Sequence, residues 1–135
     1  MRFSKKSWIL LFALILVFLV VSYVMFFAVK INSKQVATAV YKYGDKDLVV
    51  SLTPDETSKI KKILSGHFLY IDNPSCGFSE EVSVRFGEDQ TFCIARDNCA
   101  IVYWKEKDRY FSISKKQKEY LAEILSVYGF HFPCV

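Results

Sequence analysis

The chain has 135 residues, which is enough for one domain of ordinary size. Its formal net charge of +4 originates in residues 1–30, which hold four of the 18 basic side chains (Arg2, Lys5, Lys6 and Lys30) and no acidic one. The remainder therefore carries 14 basic side chains against 14 acidic ones. A neutral domain with interspersed charges has no long-range attraction for a polyanion, so the composition argues against nucleic-acid binding.

An uncharged apolar run extends from Trp8 to Val29 and predicts a transmembrane helix. At 1.5 Å per residue this helix would be about 33 Å long, enough to cross a hydrocarbon core of about 30 Å. A cleaved signal peptide is the alternative, but its apolar part is typically about 7–15 residues long and ends at small residues. Bulky residues, from Tyr23 to Phe27, occupy the end of this run. We therefore expect an uncleaved anchor that contacts the lipid bilayer.

The four cysteines Cys76, Cys93, Cys99 and Cys134 all follow the apolar run. An even number in a small domain is typical of disulfides and an oxidising compartment. We expect Cys93 to pair with Cys99 across a turn and Cys76 to pair with Cys134, although other pairings and free thiols remain open. No two of these cysteines have the C-x₂₋₄-C spacing that would indicate a zinc site. The prediction is a single-pass protein of the cell membrane, with its N-terminus cytoplasmic and its C-terminal domain outside.

Two helices carry the clearest local signals. Thr53 with Glu56, and Ser114 with Gln117, have the spacing of capping boxes, and each is followed by apolar residues at helical spacing. Alternating apolar residues and turn signals predict strands at 36–43, 48–52, 82–86, 92–94, 99–104 and 109–113, with a short apolar segment at 68–71. The predicted fold is α+β: an antiparallel sheet of five to seven strands with two amphipathic helices on one face, preceded by the transmembrane helix.

The two helical segments also match each other at an offset of 61 residues. Leu52-Thr53 corresponds to Ile113-Ser114, and the apolar positions of the two helices coincide. This match is consistent with an old duplication, and equally with two helices that obey the same rules. The expected organisation is residues 1–30 as cytoplasmic tip and anchor, 31–35 as a short exit linker, and 36–135 as the extracytoplasmic domain.

The sequence contains no specific catalytic, metal or cofactor motif, so we expect a binding or interaction module rather than an enzyme. Its partner would be an envelope or membrane protein. One group of aromatic residues is a possible interaction surface, because exposed aromatic residues are enriched at interfaces: Tyr103, Trp104, Tyr110 and Phe111. Two other functions stay open, a structural subunit of a membrane complex and a thiol enzyme that pairs a cysteine with His67 or His131.

The segments NPSCGFSEEVSVRFG, TFCIARDNCAIVYW and YGFHFPCV, together with the two capped helices, resemble small anchored or secreted proteins of Gram-positive bacteria. The resemblance covers most of residues 45–135 and implies a bacterial surface protein. It carries over no functional residue.

Overall fold

The computed structural model describes residues 5–75, 78 and 80–133. Within these residues, three α-helices and six strands follow one another, with a 3₁₀ turn at Lys105–Lys107. They are α1 (Lys5–Phe27), β1 (Thr38–Tyr43), β2 (Lys46–Ser51), α2 (Pro54–Leu64), β3 (Val82–Arg85), β4 (Thr91–Ile94), β5 (Ile101–Trp104), β6 (Arg109–Ser112) and α3 (Lys115–Ser126). The predicted α+β class and the antiparallel sheet are confirmed.

All six strands form one antiparallel sheet in the order β2-β1-β3-β4-β5-β6. The predicted short segment at 68–71 forms isolated bridges instead of a strand: Phe68 pairs with Ala28, and Tyr70 pairs with Tyr110 of β6. Three hairpins therefore lie side by side, with β3-β4 in the middle.

Both predicted capping boxes are present. In α2 the Glu56 amide donates to Thr53 Oγ1 (3.2 Å), and the Thr53 amide donates to Glu56 Oε2 (2.8 Å). Ser114 and Gln117 make the same two bonds at the start of α3. These bonds satisfy amide groups that a helix start leaves unpaired. The glycines that follow, Gly66 and Gly129, have positive φ, the conformation that glycine adopts most readily after a helix.

A single hydrophobic core joins the sheet to both amphipathic helices. Helix α2 contributes Ile60, Ile63 and Leu64, and α3 contributes Leu121, Ile124 and Leu125. The sheet contributes alternate residues, among them Val82, Val84, Phe92, Ile94, Val102, Trp104 and Phe111. The residues between them in the strands therefore point to the opposite side of the sheet.

The segments that match at an offset of 61 residues adopt the same local structure. Each is a hairpin followed by a capped helix, β1-β2-α2 in one case and β5-β6-α3 in the other. In each, the amide after the second strand bonds back to an alanine before the first: Leu52 to Ala37 and Ile113 to Ala100, both at 2.9 Å. The two units lie at opposite edges of the sheet, with the β3-β4 hairpin between them.

Candidate functional site

Helix α1 is long and apolar enough to cross a membrane, and none of it is buried against the domain. Its 23 residues have a mean hydropathy of 3.0 over the best window. A signal sequence, which also lies near the N-terminus, can have the same length and hydropathy.

The end of α1 leads directly into the core of the domain. Val29, predicted as the last residue of the span, is 1% exposed, and Ile31, predicted as the start of a linker, is 5% exposed. Both belong to the core cluster. The segment predicted as a linker, 31–35, therefore begins with an apolar side chain that is removed from water in the core.

Backbone hydrogen bonds fasten this junction to the segment that follows α2. The Val29 amide donates to the His67 carbonyl (2.8 Å), and the Gly66 amide donates to the Val29 carbonyl (2.9 Å). The Leu69 amide donates to the Phe27 carbonyl (3.0 Å). The Tyr23 ring of α1 also stacks on Phe68, with centroids 6.4 Å apart. Helix and domain are thus connected through paired backbone as well as through the chain itself.

Two of the four residues predicted as an aromatic surface are buried. Trp104 and Phe111 are 4% and 0% exposed and lie in the core, so they form no surface. The reason is strand alternation: Tyr103 and Tyr110, directly opposite each other on β5 and β6, point to the other side of the sheet and are half-buried.

Tyr103 and Tyr110 belong to a four-ring group, here called the tyrosine cluster, that also contains Tyr70 and Phe78. Ring centroids are 5.0 Å apart for Tyr103 and Tyr110, and 6.3 Å apart for Tyr70 and Tyr110. Phe78 lies 6.2 Å from Tyr103 and 5.5 Å from Tyr110. These separations are typical of attractive aromatic pairs. All four rings are half-buried, so each keeps part of its surface open to a partner.

The cluster continues across the sheet into a buried thiol. Cys93 lies between Ser83 and Tyr103 in the strand register and is 2% exposed. Burial raises the pKa of the Cys93 thiol to about 11, so the thiol is protonated at neutral pH. A protonated, inaccessible thiol is a poor nucleophile.

The predicted bridge between Cys93 and Cys99 is wrong, because Cys93 is a free thiol. The strand register gives the reason: the cross-strand partner of Cys93 is Tyr103, and Cys99 lies in the connection before β5. Cys76 and Cys134, the other predicted pair, lie outside the described residues.

The structure does not bring the histidines to Cys93. His67 Nε2 lies 2.7 Å from the Ile63 carbonyl oxygen, and its ring stacks on the core residue Phe111 at 5.5 Å. Cys93 is on the opposite side of the sheet. His131 accepts a bond from Arg96 Nε through its backbone carbonyl (3.3 Å). Neither histidine is in place to act as a base toward Cys93.

Sequence analysis missed one buried charged residue, Lys118 of α3, which is 1% exposed. Its ammonium group donates to the Ala95 carbonyl and lies 5.4 Å from the centre of the Phe132 ring. Burial lowers the pKa of Lys118 to about 8, although the charge of Asp97 acts against this shift. The available signal was its place in the helix, three residues before Leu121 and therefore on the apolar side.

Within residues 5–75, 78 and 80–133, no three His, Cys, Asp or Glu side chains are grouped so that they could hold a metal ion. Comparison of the chain with protein-family models, with curated proteins and with solved structures finds no match.

Proposed function

We propose that this protein is a single-pass membrane protein whose α+β domain binds a protein partner close to the membrane surface. The observation that carries the proposal is the direct junction between α1 and the core, at Val29 and Ile31. If α1 spans the bilayer, this junction holds the domain against the membrane and limits its partners to molecules within reach of that surface. In this proposal α2 and α3 cover one side of the sheet and leave the other side for recognition.

The tyrosine cluster is the proposed binding surface. Tyrosine combines a large apolar ring with a hydroxyl group, and its few rotatable bonds make it inexpensive to immobilise, which explains its enrichment at interfaces. The Tyr103 hydroxyl donates to Asp108 (3.0 Å), and the Tyr70 hydroxyl is 3.3 Å from Ser112 Oγ. These bonds orient two of the rings before any partner arrives.

Photo-crosslinking in intact membranes tests this surface. A benzophenone amino acid replaces Tyr103 or Tyr110 in the full chain, and in a matched control it replaces Tyr120, an exposed tyrosine of α3 that is 41% exposed. We expect one discrete adduct from positions 103 and 110, none from 120, and loss of the adduct when Tyr70 is also changed to Ser. Equal labelling at all three positions, or no adduct, would contradict the proposal.

We further propose that the domain lies outside the cell, in an oxidising compartment. This proposal includes a disulfide at Cys99, since thiols of cytoplasmic proteins are kept reduced. The test is to quench cells in acid, unfold the protein, alkylate it without reduction and measure its mass. One disulfide leaves two of the four cysteines to react. Four alkylated cysteines would contradict both the disulfide and the orientation.

A further inference from the structure

The core residue Trp104 carries a hydrogen-bond donor without an acceptor. The ring packs on Phe92, its cross-strand partner, with centroids 5.1 Å apart. Among the side chains that the structure describes, Trp104 Nε1 is the buried nitrogen or oxygen atom that has no hydrogen-bond partner. A buried donor left unpaired costs about 1–3 kcal/mol, so the indole N–H is a position where a bound group would be stabilising.

Trp104 also lines a cavity of about 440 Å³ at the junction between α1 and the domain. Met25 and Phe26, from the last turns of α1, form its apolar wall. The lining also includes four charged residues, two of each sign: Lys30, Lys107, Asp89 and Glu106. The cavity thus combines an apolar side, next to the predicted span, with a polar side of zero net charge.

The polar wall is held in place by the domain. Gln90 donates through Nε2 to the Lys30 carbonyl (2.7 Å) and accepts from the Asn32 amide through Oε1 (3.2 Å). Glu106 accepts from the Thr91 amide (2.8 Å). Burial acts to raise the pKa of Glu106, but hydrogen bonds from Thr91 and from the Glu106 backbone, together with the charge of Lys105, lower it, so this carboxylate is ionised at neutral pH.

The two ammonium groups are available to an anion. Lys107 Nζ lies over the Trp104 ring, 4.3 Å from its centre. Lys30 Nζ has Met25 Sδ as its contact at 3.1 Å, and a thioether is a weak acceptor. An anionic oxygen would offer both lysines and the indole a much stronger, charge-assisted bond.

We propose that this cavity binds the headgroup of a zwitterionic phospholipid with a primary amine. The phosphate would accept from Trp104 Nε1 and from the two lysines, and the ammonium group would face the carboxylates of Asp89 and Glu106. The acyl chains would extend along Met25 and Phe26 of α1. The inference rests on α1 spanning the membrane, because the cavity then lies at the depth of the lipid headgroups.

The test uses the full chain in non-ionic detergent with ¹⁵N-labelled tryptophan. The protein has two tryptophans, so the spectrum contains two indole signals, and Trp8 at the far end of α1 serves as an internal control. We expect dihexanoyl-phosphatidylethanolamine to shift the Trp104 signal in a saturable way and to leave the Trp8 signal unchanged.

Calorimetry on substituted proteins tests which side chains bind the phosphate. We expect Trp104→Phe, which keeps a ring in the core, and Lys107→Gln each to weaken binding by about tenfold, as loss of a charge-assisted hydrogen bond predicts. Lys116→Gln, an exposed lysine of α3, should leave the affinity unchanged. Unchanged binding by Trp104→Phe would overturn the role given to the indole N–H.

Three further results would overturn the proposal. Equal affinity for dihexanoyl-phosphatidylglycerol would remove the role of the carboxylates. Equal affinity for free phosphoethanolamine would show that the ligand is a soluble molecule rather than a membrane lipid. Absence of a saturable shift would leave the cavity without this ligand. An alkaline carbonate wash of membranes tests separately whether α1 spans the membrane. A spanning chain stays in the membrane pellet whether or not the cavity binds lipid.

Discussion

Replacing the buried lysine of α3 should change how the stability of the protein depends on pH. The ordinary pKa of lysine is 10.5, and burial lowers that of Lys118 to about 8 in the folded chain. Between these two values the unfolded chain binds a proton that the folded chain has released. Stability therefore rises with pH in this window, and below pH 8 the cost of burying the charge is present in full.

The size of the effect follows from the two pKa values. Between pH 7 and pH 9 the linkage relation gives a gain of about 1.3 kcal/mol in the free energy of unfolding from this one group. Other groups titrate in the same range, notably Cys93, whose raised pKa removes stability above pH 9. The informative quantity is therefore the difference between the wild type and Lys118→Met, from which the shared contributions cancel.

Urea unfolding of the full chain in a mild non-ionic detergent, followed by circular dichroism at pH 7, 8 and 9, measures this difference. We expect the wild type to gain about 1.3 kcal/mol relative to Lys118→Met over this interval. The control Lys116→Met changes an exposed lysine two residues earlier and should run parallel to the wild type. Parallel curves for wild type and Lys118→Met would refute the lowered pKa.

Two other predictions follow from the geometry. Thr53→Ala and Ser114→Ala should each lower the free energy of unfolding by about 1 kcal/mol through loss of a capping box, and their effects should add. Ser51→Ala, at an exposed strand position, is the control. A loss of stability no greater than that of the control would contradict the capping role. Cys93 should resist iodoacetamide at pH 8 in the folded protein and react after unfolding, as measured by intact mass, because its pKa is about 11 and it is 2% exposed; rapid reaction of the native thiol would contradict its burial.

Local signals in the sequence predicted the secondary structure well. The helix starts at Thr53 and Ser114 depend on residues three positions apart, and the strands depend on alternation within four to six residues. Both signals are contained in a few consecutive residues, so no knowledge of the tertiary fold is needed to read them.

Sequence analysis failed where cysteine pairing or burial depends on contacts between residues far apart in the sequence. The pairing of Cys93 depends on the β4-β5 register, which places Tyr103 opposite it and leaves Cys99 in the preceding connection. The burial of Trp104 depends on which side of β5 faces the core, and a strand that is apolar on both sides does not reveal this. The burial of Val29 accompanies its backbone pairing with Gly66 and His67, which follow it by 37 and 38 residues in the chain.

The strand order has a consequence for how the chain folds. Four of the five pairings in the sheet join consecutive strands, and each can form as a local hairpin. The fifth, between β1 and β3, spans β2, all of α2 and the connection after it, and closing that long loop carries a larger entropic cost. We therefore expect the first hairpin with its helix, and the meander from β3 to β6, to form early as separate units. Their docking along β1 and β3 would then be the slow step in forming the sheet.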